Sequence, residues 1–168
     1  MVDNTDRFIN FLDPYIEKFL NFLPVSWADN LALLHPYIVI FAVSLPIVAI
    51  GFQASKKADL QKPGNILYML GVLSIILAFL SGKSAYLDAR SNISAQGLDV
   101  LNSHATVGML ILLSYIGILT LKLLYMATKK EGLKNFITFL MYLGGAFILY
   151  MMTSGIKLVF HYGAGLIL

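Results

Sequence analysis

The stretch LALLHPYIVIFAVSLPIVAIGF, residues 31–52, decides the fold because it contains no charged side chain. A helix needs about 20 predominantly apolar residues to cross the hydrocarbon core of a bilayer, and this run supplies them. Three more apolar runs follow it, separated by polar or basic segments. Since a bilayer offers no hydrogen-bond partners to the backbone, each run is expected to be helical. The sequence therefore predicts an all-α integral membrane protein with a four-helix transmembrane bundle.

The composition supports a membrane protein and excludes several classes of site. The chain has 168 residues, of which 58% are hydrophobic and 12% charged, whereas a soluble domain carries about 25% charged residues. It has no cysteine, which excludes disulfides, thiolate zinc sites, iron–sulfur clusters and covalently attached c-type haem. The net charge is only +3, and no basic run with interleaved aromatics indicates nucleic-acid binding.

The chain divides into an N-terminal segment and a transmembrane domain. In residues 1–30, apolar side chains recur at helical spacing among charged ones, which predicts an amphipathic helix at the membrane interface. A helix packed on a partner protein is the alternative. Residues 31–168 form the transmembrane domain, and no internal repeat is evident in them. The spans are predicted at about residues 31–54, 64–82, 101–126 and 136–160.

Several local features predict how the spans begin and end. The polar residues 85–102 predict a long connection before the third span, whose helix Ser103 would cap. The last apolar run is too long for one span, so Gly163 and Gly165 are expected to turn the tail back along the interface. Lys122 lies within the third span and is expected to snorkel outward.

The distribution of basic residues predicts the orientation in the membrane. Two loops on one side hold Lys56, Lys57, Lys62, Lys129, Lys130 and Lys134. The other side holds Arg7, Lys18, Lys83, Arg90 and Lys157, diluted by acidic residues. The positive-inside rule places the lysine-rich loops in the cytoplasm. The protein is therefore expected in the bacterial inner membrane, with both termini periplasmic.

The three histidines, His35, His104 and His161, all fall at the predicted outer end of the bundle. His35 and His104 lie three or four residues into their apolar runs, so their depths match within about one helical turn. The first and third helices of an up-and-down bundle are diagonal neighbours. Two imidazoles that face each other across a bundle can fill both axial positions of a haem iron. The sequence therefore predicts non-covalent haem b bound by His35 and His104.

Other residues are weaker candidates for the same site. Gly108 lies one turn below His104 and would leave room for a ring edge, while Lys83, Arg90 and Lys157 could pair with haem propionates. Lys157 and His161 are four residues apart on one helix face. They could supply an alternative iron ligand, another metal site or a quinone pocket, although a lysine near a span end often only snorkels.

The chain resembles a bacterial family of four-helix membrane proteins whose domain has no assigned function. The resemblance covers about residues 31–168 and has three elements. The first helix opens with His35-Pro36 and apolar residues, and the third opens with Ser103-His104-Ala105. The chain closes with Tyr162-Gly163-Ala164-Gly165, which is similar to a His-Gly-x-Gly close. Aligned on its glycines, that motif puts the family's histidine at Tyr162, which leaves His161 one place early.

These features favour a b-type cytochrome-like membrane subunit. They leave catalysis open and favour a non-catalytic electron-transfer or structural role over an enzyme. It would carry electrons between a periplasmic partner and the quinone pool or another membrane subunit, with the lipid bilayer around it. The first alternative is a non-redox structural subunit that anchors a larger complex. The second is a small transporter or channel, for which broken helices and polar groups at the midplane would be expected.

Overall fold

The computed structural model describes Lys18, Phe22, residues 25–55 and residues 57–163. Most of the predicted interfacial segment 1–30 and the tail beyond Gly163 lie outside these residues. The described part contains four long helices and no strand: α1 (Val25–Ala54), α2 (Ala58–Asn92), α3 (Ala95–Thr128) and α4 (Glu131–Tyr162). Each is long and apolar enough to cross a membrane. The predicted all-α, four-helix membrane fold is therefore confirmed.

Short connections join consecutive helices, so neighbouring helices are antiparallel. Between α2 and α3 only Ile93 and Ser94 are non-helical, and the Ser94 side chain accepts a hydrogen bond from the Gly97 backbone N–H at 3.2 Å. This is the N-cap that satisfies a free donor of the first helical turn. At the end of α3, Lys129 adopts a left-handed conformation with φ 54° and its N–H donates to the Tyr125 carbonyl.

The predicted long connection over residues 85–102 and the Ser103 cap are wrong. The helices α2 and α3 run through most of that polar stretch, and Ser103 lies inside α3. Polarity alone does not end a helix, because a helix in water can carry polar residues and continue. The Tyr86 hydroxyl donates to the Asn102 side-chain oxygen at 2.8 Å, which links α2 and α3 within this polar stretch. Gly163 ends α4 with φ 71°, as expected of a glycine C-cap.

The four helices pack in a ring in which each contacts the next along the chain and α4 contacts α1. The helices α1 and α3 therefore lie on a diagonal, as predicted. Large apolar side chains cover the outside of the ring, and Phe139 and Tyr150 are each 61% exposed. A surface of this kind suits a lipid environment, where apolar exposure carries no penalty.

Lys122 does not snorkel outward as predicted. Its ammonium lies 4.8 Å from the centre of the Tyr68 ring and 3.8 Å from the sulfur of Met141. These two residues belong to α2 and α4, so Lys122 turns into the bundle. The attraction between a cation and the face of an aromatic ring favours this orientation.

The two helical hairpins α1–α2 and α3–α4 bury equivalent positions. A shift of 69 residues relates α1 to α3, and a shift of 73 relates α2 to α4. The first shift carries the buried residues Ala42, Pro46 and Ala49 to Ile111, Tyr115 and Ile118. The second carries Gly64, Tyr68, Gly71, Val72 and Ile75 to Ile137, Met141, Gly144, Gly145 and Ile148, which are all buried too. The two hairpins thus share this burial pattern and run in the same direction, although Met109 is buried and its counterpart Ile40 is 61% exposed. We call this correspondence of positions the repeat.

The two hairpins also share a close contact between a glycine and a ring of the preceding helix. A Cβ added at Gly71 would lie 2.8 Å from the Pro46 ring, and one added at Gly144 would lie 2.9 Å from the Tyr115 ring. Gly71 and Gly144 are equivalent under the second shift, and Pro46 and Tyr115 under the first. In each hairpin a glycine thus lets a bulky ring of the preceding helix approach the backbone closely.

Candidate functional site

His35 on α1 is held by a serine of the neighbouring helix α2. Its Nδ1 lies 2.9 Å from the Ser81 Oγ, which itself donates to the Ala78 carbonyl at 3.1 Å. The hydroxyl has one proton and uses it on that carbonyl, so it accepts from the imidazole. His35 is therefore assigned the tautomer with the proton on Nδ1 and a lone pair on Nε2.

His104 on α3 repeats this arrangement with α4. Its Nδ1 lies 2.8 Å from the Ser154 Oγ, which donates to the Met151 carbonyl at 2.8 Å. The same reasoning places the proton on Nδ1 and the lone pair on Nε2. The two histidines thus share one tautomer and one kind of partner.

A glycine follows each serine and lies beside the same imidazole. A Cβ at Gly82 would come within 3.0 Å of the His35 Cε1, and one at Gly155 within 3.3 Å of the His104 Cε1. Each ring therefore packs against a Ser-Gly pair on the neighbouring helix. Sequence reasoning missed these pairs. The available signal was a Ser-Gly dipeptide toward the C-terminal end of both the second and the fourth apolar run.

The repeat relates the two histidine sites to each other. His104 is His35 shifted by 69 residues, and the Ser154-Gly155 pair is Ser81-Gly82 shifted by 73. The two imidazoles lie at the same end of the ring, on the diagonal helices α1 and α3. This end of the bundle thus carries two equivalent imidazoles, one from each hairpin.

The other predicted haem contacts differ in their position relative to the histidines. The space beside Gly108 is taken by the Met151 side chain, whose methyl group would lie 2.9 Å from an added Cβ. Lys83 is half-buried two residues after Ser81, at the level of the histidines. Arg90 is exposed and lies nine residues after Ser81, about 13 Å further along the helix axis.

His161 is not part of the paired arrangement. It is exposed in the last turn of α4, seven residues beyond Ser154, or about 10 Å along the helix. Lys157 is exposed as well. Over the residues that the structure describes, no three His, Cys, Asp or Glu side chains group in a way that could hold a metal ion.

Comparison with known proteins gives no match to a family model, a curated protein or a solved structure. The family resemblance of the sequence motifs is therefore still an expectation. The case for a function depends on the geometry of the chain itself.

Proposed function

We propose that the protein is a b-type cytochrome-like membrane subunit that holds haem b between His35 and His104. The observation that supports it is the pair of Nδ1–serine hydrogen bonds. With the proton on Nδ1, as assigned above, each imidazole keeps a lone pair on Nε2. Histidines that bind metals usually donate their second ring N–H to a neighbouring acceptor, which fixes the tautomer and orients the ring. Ser81 and Ser154 would serve as these acceptors.

The haem, when bound, would supply one-electron transfer. Because His35 and His104 would both hold the iron, electron transfer rather than oxygen chemistry would be expected. The chain would hold the imidazoles in place through the serines and exclude water with the surrounding apolar side chains. Met151 would have to withdraw from the space beside Gly108, which its three rotatable side-chain bonds allow. Lys83, and Arg90 from further along α2, are the proposed partners of the propionates.

The proposed location is a bacterial inner membrane with the histidine end facing the periplasm. The support is the lysine content of the opposite end, where Lys57, Lys62, Lys129, Lys130 and Lys134 are all exposed. A periplasmic redox protein would then exchange electrons with the outer end, and the quinone pool or another membrane subunit would be the second partner.

Reporter fusions test this orientation. Alkaline phosphatase, which is active only in the periplasm, is expected to be active when fused at the C-terminus and inactive when fused after Lys130. A green fluorescent reporter, which matures only in the cytoplasm, serves as the control and should give the opposite pattern. Activity of the same reporter at both sites would contradict the proposed orientation.

A structural anchoring subunit is the second candidate, and one observation favours it. The His35–Ser81 and His104–Ser154 hydrogen bonds satisfy each Nδ1 and link two helices without any ligand. Polar bonds of this kind join transmembrane helices in proteins without cofactors. The two candidates predict different absorption spectra when Ser81 or Ser154 is replaced. The cytochrome would lose haem absorbance, whereas an anchoring subunit would show none before or after the replacement.

Ser81→Ala and Ser154→Ala are expected to weaken haem retention by about 10- to 100-fold and to shift the haem midpoint potential, because each loses the acceptor that orients an axial ligand. Haem content and redox titration of the purified variants are the measurements. Ser74→Ala is the matched control, since the Ser74 hydroxyl donates only to the Leu70 carbonyl of its own helix. If Ser81→Ala lowers stability but no variant or wild-type sample shows a haem spectrum, the result would contradict the cytochrome function and favour the anchoring subunit.

A further inference from the structure

A groove on the lipid-facing surface runs between α3 and α4. Its volume is about 460 Å³, and a second hollow of about 280 Å³ continues it along α4. Leu143 and Phe147 line both and are exposed. Leu140 in the groove and Tyr150 in the hollow lie about 15 Å apart along the helix axis. That length is about half the thickness of the hydrocarbon core, so the groove has the depth of one leaflet.

The groove exists because Gly117 has no side chain to fill it. A Cβ added there would meet nothing within 4 Å. The repeat relates Gly117 to Val48, whose side chain is exposed on the equivalent surface of α1. The polar side chains in the wall are Ser114 and Thr120, and the Thr120 hydroxyl donates to a carbonyl of its own helix at 3.0 Å. The rest of the wall is apolar and includes Ile118, Leu121, Leu140, Leu143, Gly144 and Phe147.

Positive charge lies at one end of the same helical hairpin. Lys129 and Lys130 join α3 to α4, and both are exposed. Among the described residues, neither lysine forms an ion pair with a carboxylate, since Glu131 beside them pairs with Lys134 at 3.4 Å. Two uncompensated ammonium groups next to the membrane attract anionic lipid head groups.

The groove opens toward these lysines. Leu121 of the groove wall lies one helical turn before Tyr125. The Lys129 ammonium lies 5.9 Å from the centre of the Tyr125 ring. The wall of the groove, the Tyr125 ring and the Lys129 ammonium therefore follow one another toward the membrane surface. A molecule with an apolar chain and an anionic head would match this order of surfaces.

We propose that this groove binds an acyl chain of an anionic phospholipid, whose phosphate group lies against Lys129 and Lys130. The elongated apolar wall suits one chain within a single leaflet, and burial of each methylene group adds to the affinity. The lysines select the head group by charge. The lipid site goes beyond the electron-transfer function and does not depend on haem.

Native mass spectrometry of the full chain, titrated in detergent with dioleoylphosphatidylglycerol, tests the head-group part of the site. Wild type should bind this anionic lipid about tenfold more tightly than dioleoylphosphatidylcholine, which has the same chains and no net charge. The double variant Lys129→Gln, Lys130→Gln should remove this preference and leave phosphatidylcholine binding unchanged. The matched control is Lys57→Gln, Lys62→Gln, which removes the same charge from the start of α2 and should keep the preference.

A second pair of variants tests the groove itself. Gly117→Leu should fold, because a Cβ at this position has open space. It should lower the affinity for both phospholipids by about tenfold or more, because the leucine displaces several methylene groups of the chain. Gly51→Leu is the control. Gly51 also has open space, and the repeat relates it to Thr120 on the equivalent surface of α1, so both affinities should stay at the wild-type level.

Three results would overturn the lipid site. Equal affinity of wild type for the two phospholipids would reject selection by charge. Equal loss of preference in the two lysine double variants would assign the effect to net charge rather than to the connection between α3 and α4. Unchanged affinities in Gly117→Leu would reject the groove, and if a wild-type dimer became monomeric in that variant, the groove would belong to a second copy of the chain.

Discussion

Replacing either His35 or His104 with alanine is expected to lower the haem content of the purified protein by at least about tenfold. Each variant would remove one of the two proposed iron ligands, and loss even of a residue that orients a ligand costs 10- to 100-fold in affinity. The ratio of haem absorbance to protein absorbance measures the effect. Because the two sites are equivalent in the repeat, the two variants should lose haem to a similar extent.

His161→Ala is the control for this experiment. His161 is exposed and about 10 Å beyond Ser154 along α4, so its removal should leave the haem content at the wild-type level. Loss of haem from His161→Ala, together with normal haem content in His35→Ala, would place the iron on α4. That result would contradict the paired-histidine site.

Gly71→Ala is expected to destabilise the bundle by about 1–3 kcal/mol, the usual cost of overpacking. The added Cβ would lie 2.8 and 2.9 Å from two carbons of the Pro46 ring. A proline ring cannot rotate away, so α1 and α2 would have to separate. Unfolding in mixed detergent micelles, followed by circular dichroism, measures the change in free energy.

Gly51→Ala is the matched control for packing. A Cβ at Gly51 meets nothing within 4 Å, and alanine has a better helix propensity than glycine by about 1 kcal/mol. This variant should therefore be as stable as wild type or more so. Equal stability of Gly71→Ala and Gly51→Ala would mean that Pro46 and Gly71 do not form the close contact between α1 and α2.

The number of helices could be predicted from the sequence because the bilayer sets both the length and the polarity of a span. Helix ends were predicted less well, and residues 85–102 show why. Polarity does not by itself end a helix. Both α2 and α3 continue through these residues, and Ser94 is the N-cap of α3. The N-terminal interfacial helix is still a prediction.

The candidate site could be predicted only in part. The placement of His35 and His104 at one end follows from chain topology, since both lie near the starts of apolar runs that cross the bundle in the same direction. Their partners Ser81 and Ser154 depend on the rotation of α2 and α4 about their own axes, which hydropathy does not determine. The inward turn of Lys122 was missed for the same reason, because its neighbours on α2 and α4 were unknown.

The most direct test of haem binding is the absorption spectrum of the purified wild-type chain from haem-replete cells. We predict a reduced-minus-oxidised spectrum of a low-spin b-type haem, and a pyridine haemochrome assay that finds non-covalent haem b near one equivalent per chain. A folded, monodisperse preparation that is colourless and contains no haem would contradict the cytochrome function and favour the anchoring subunit.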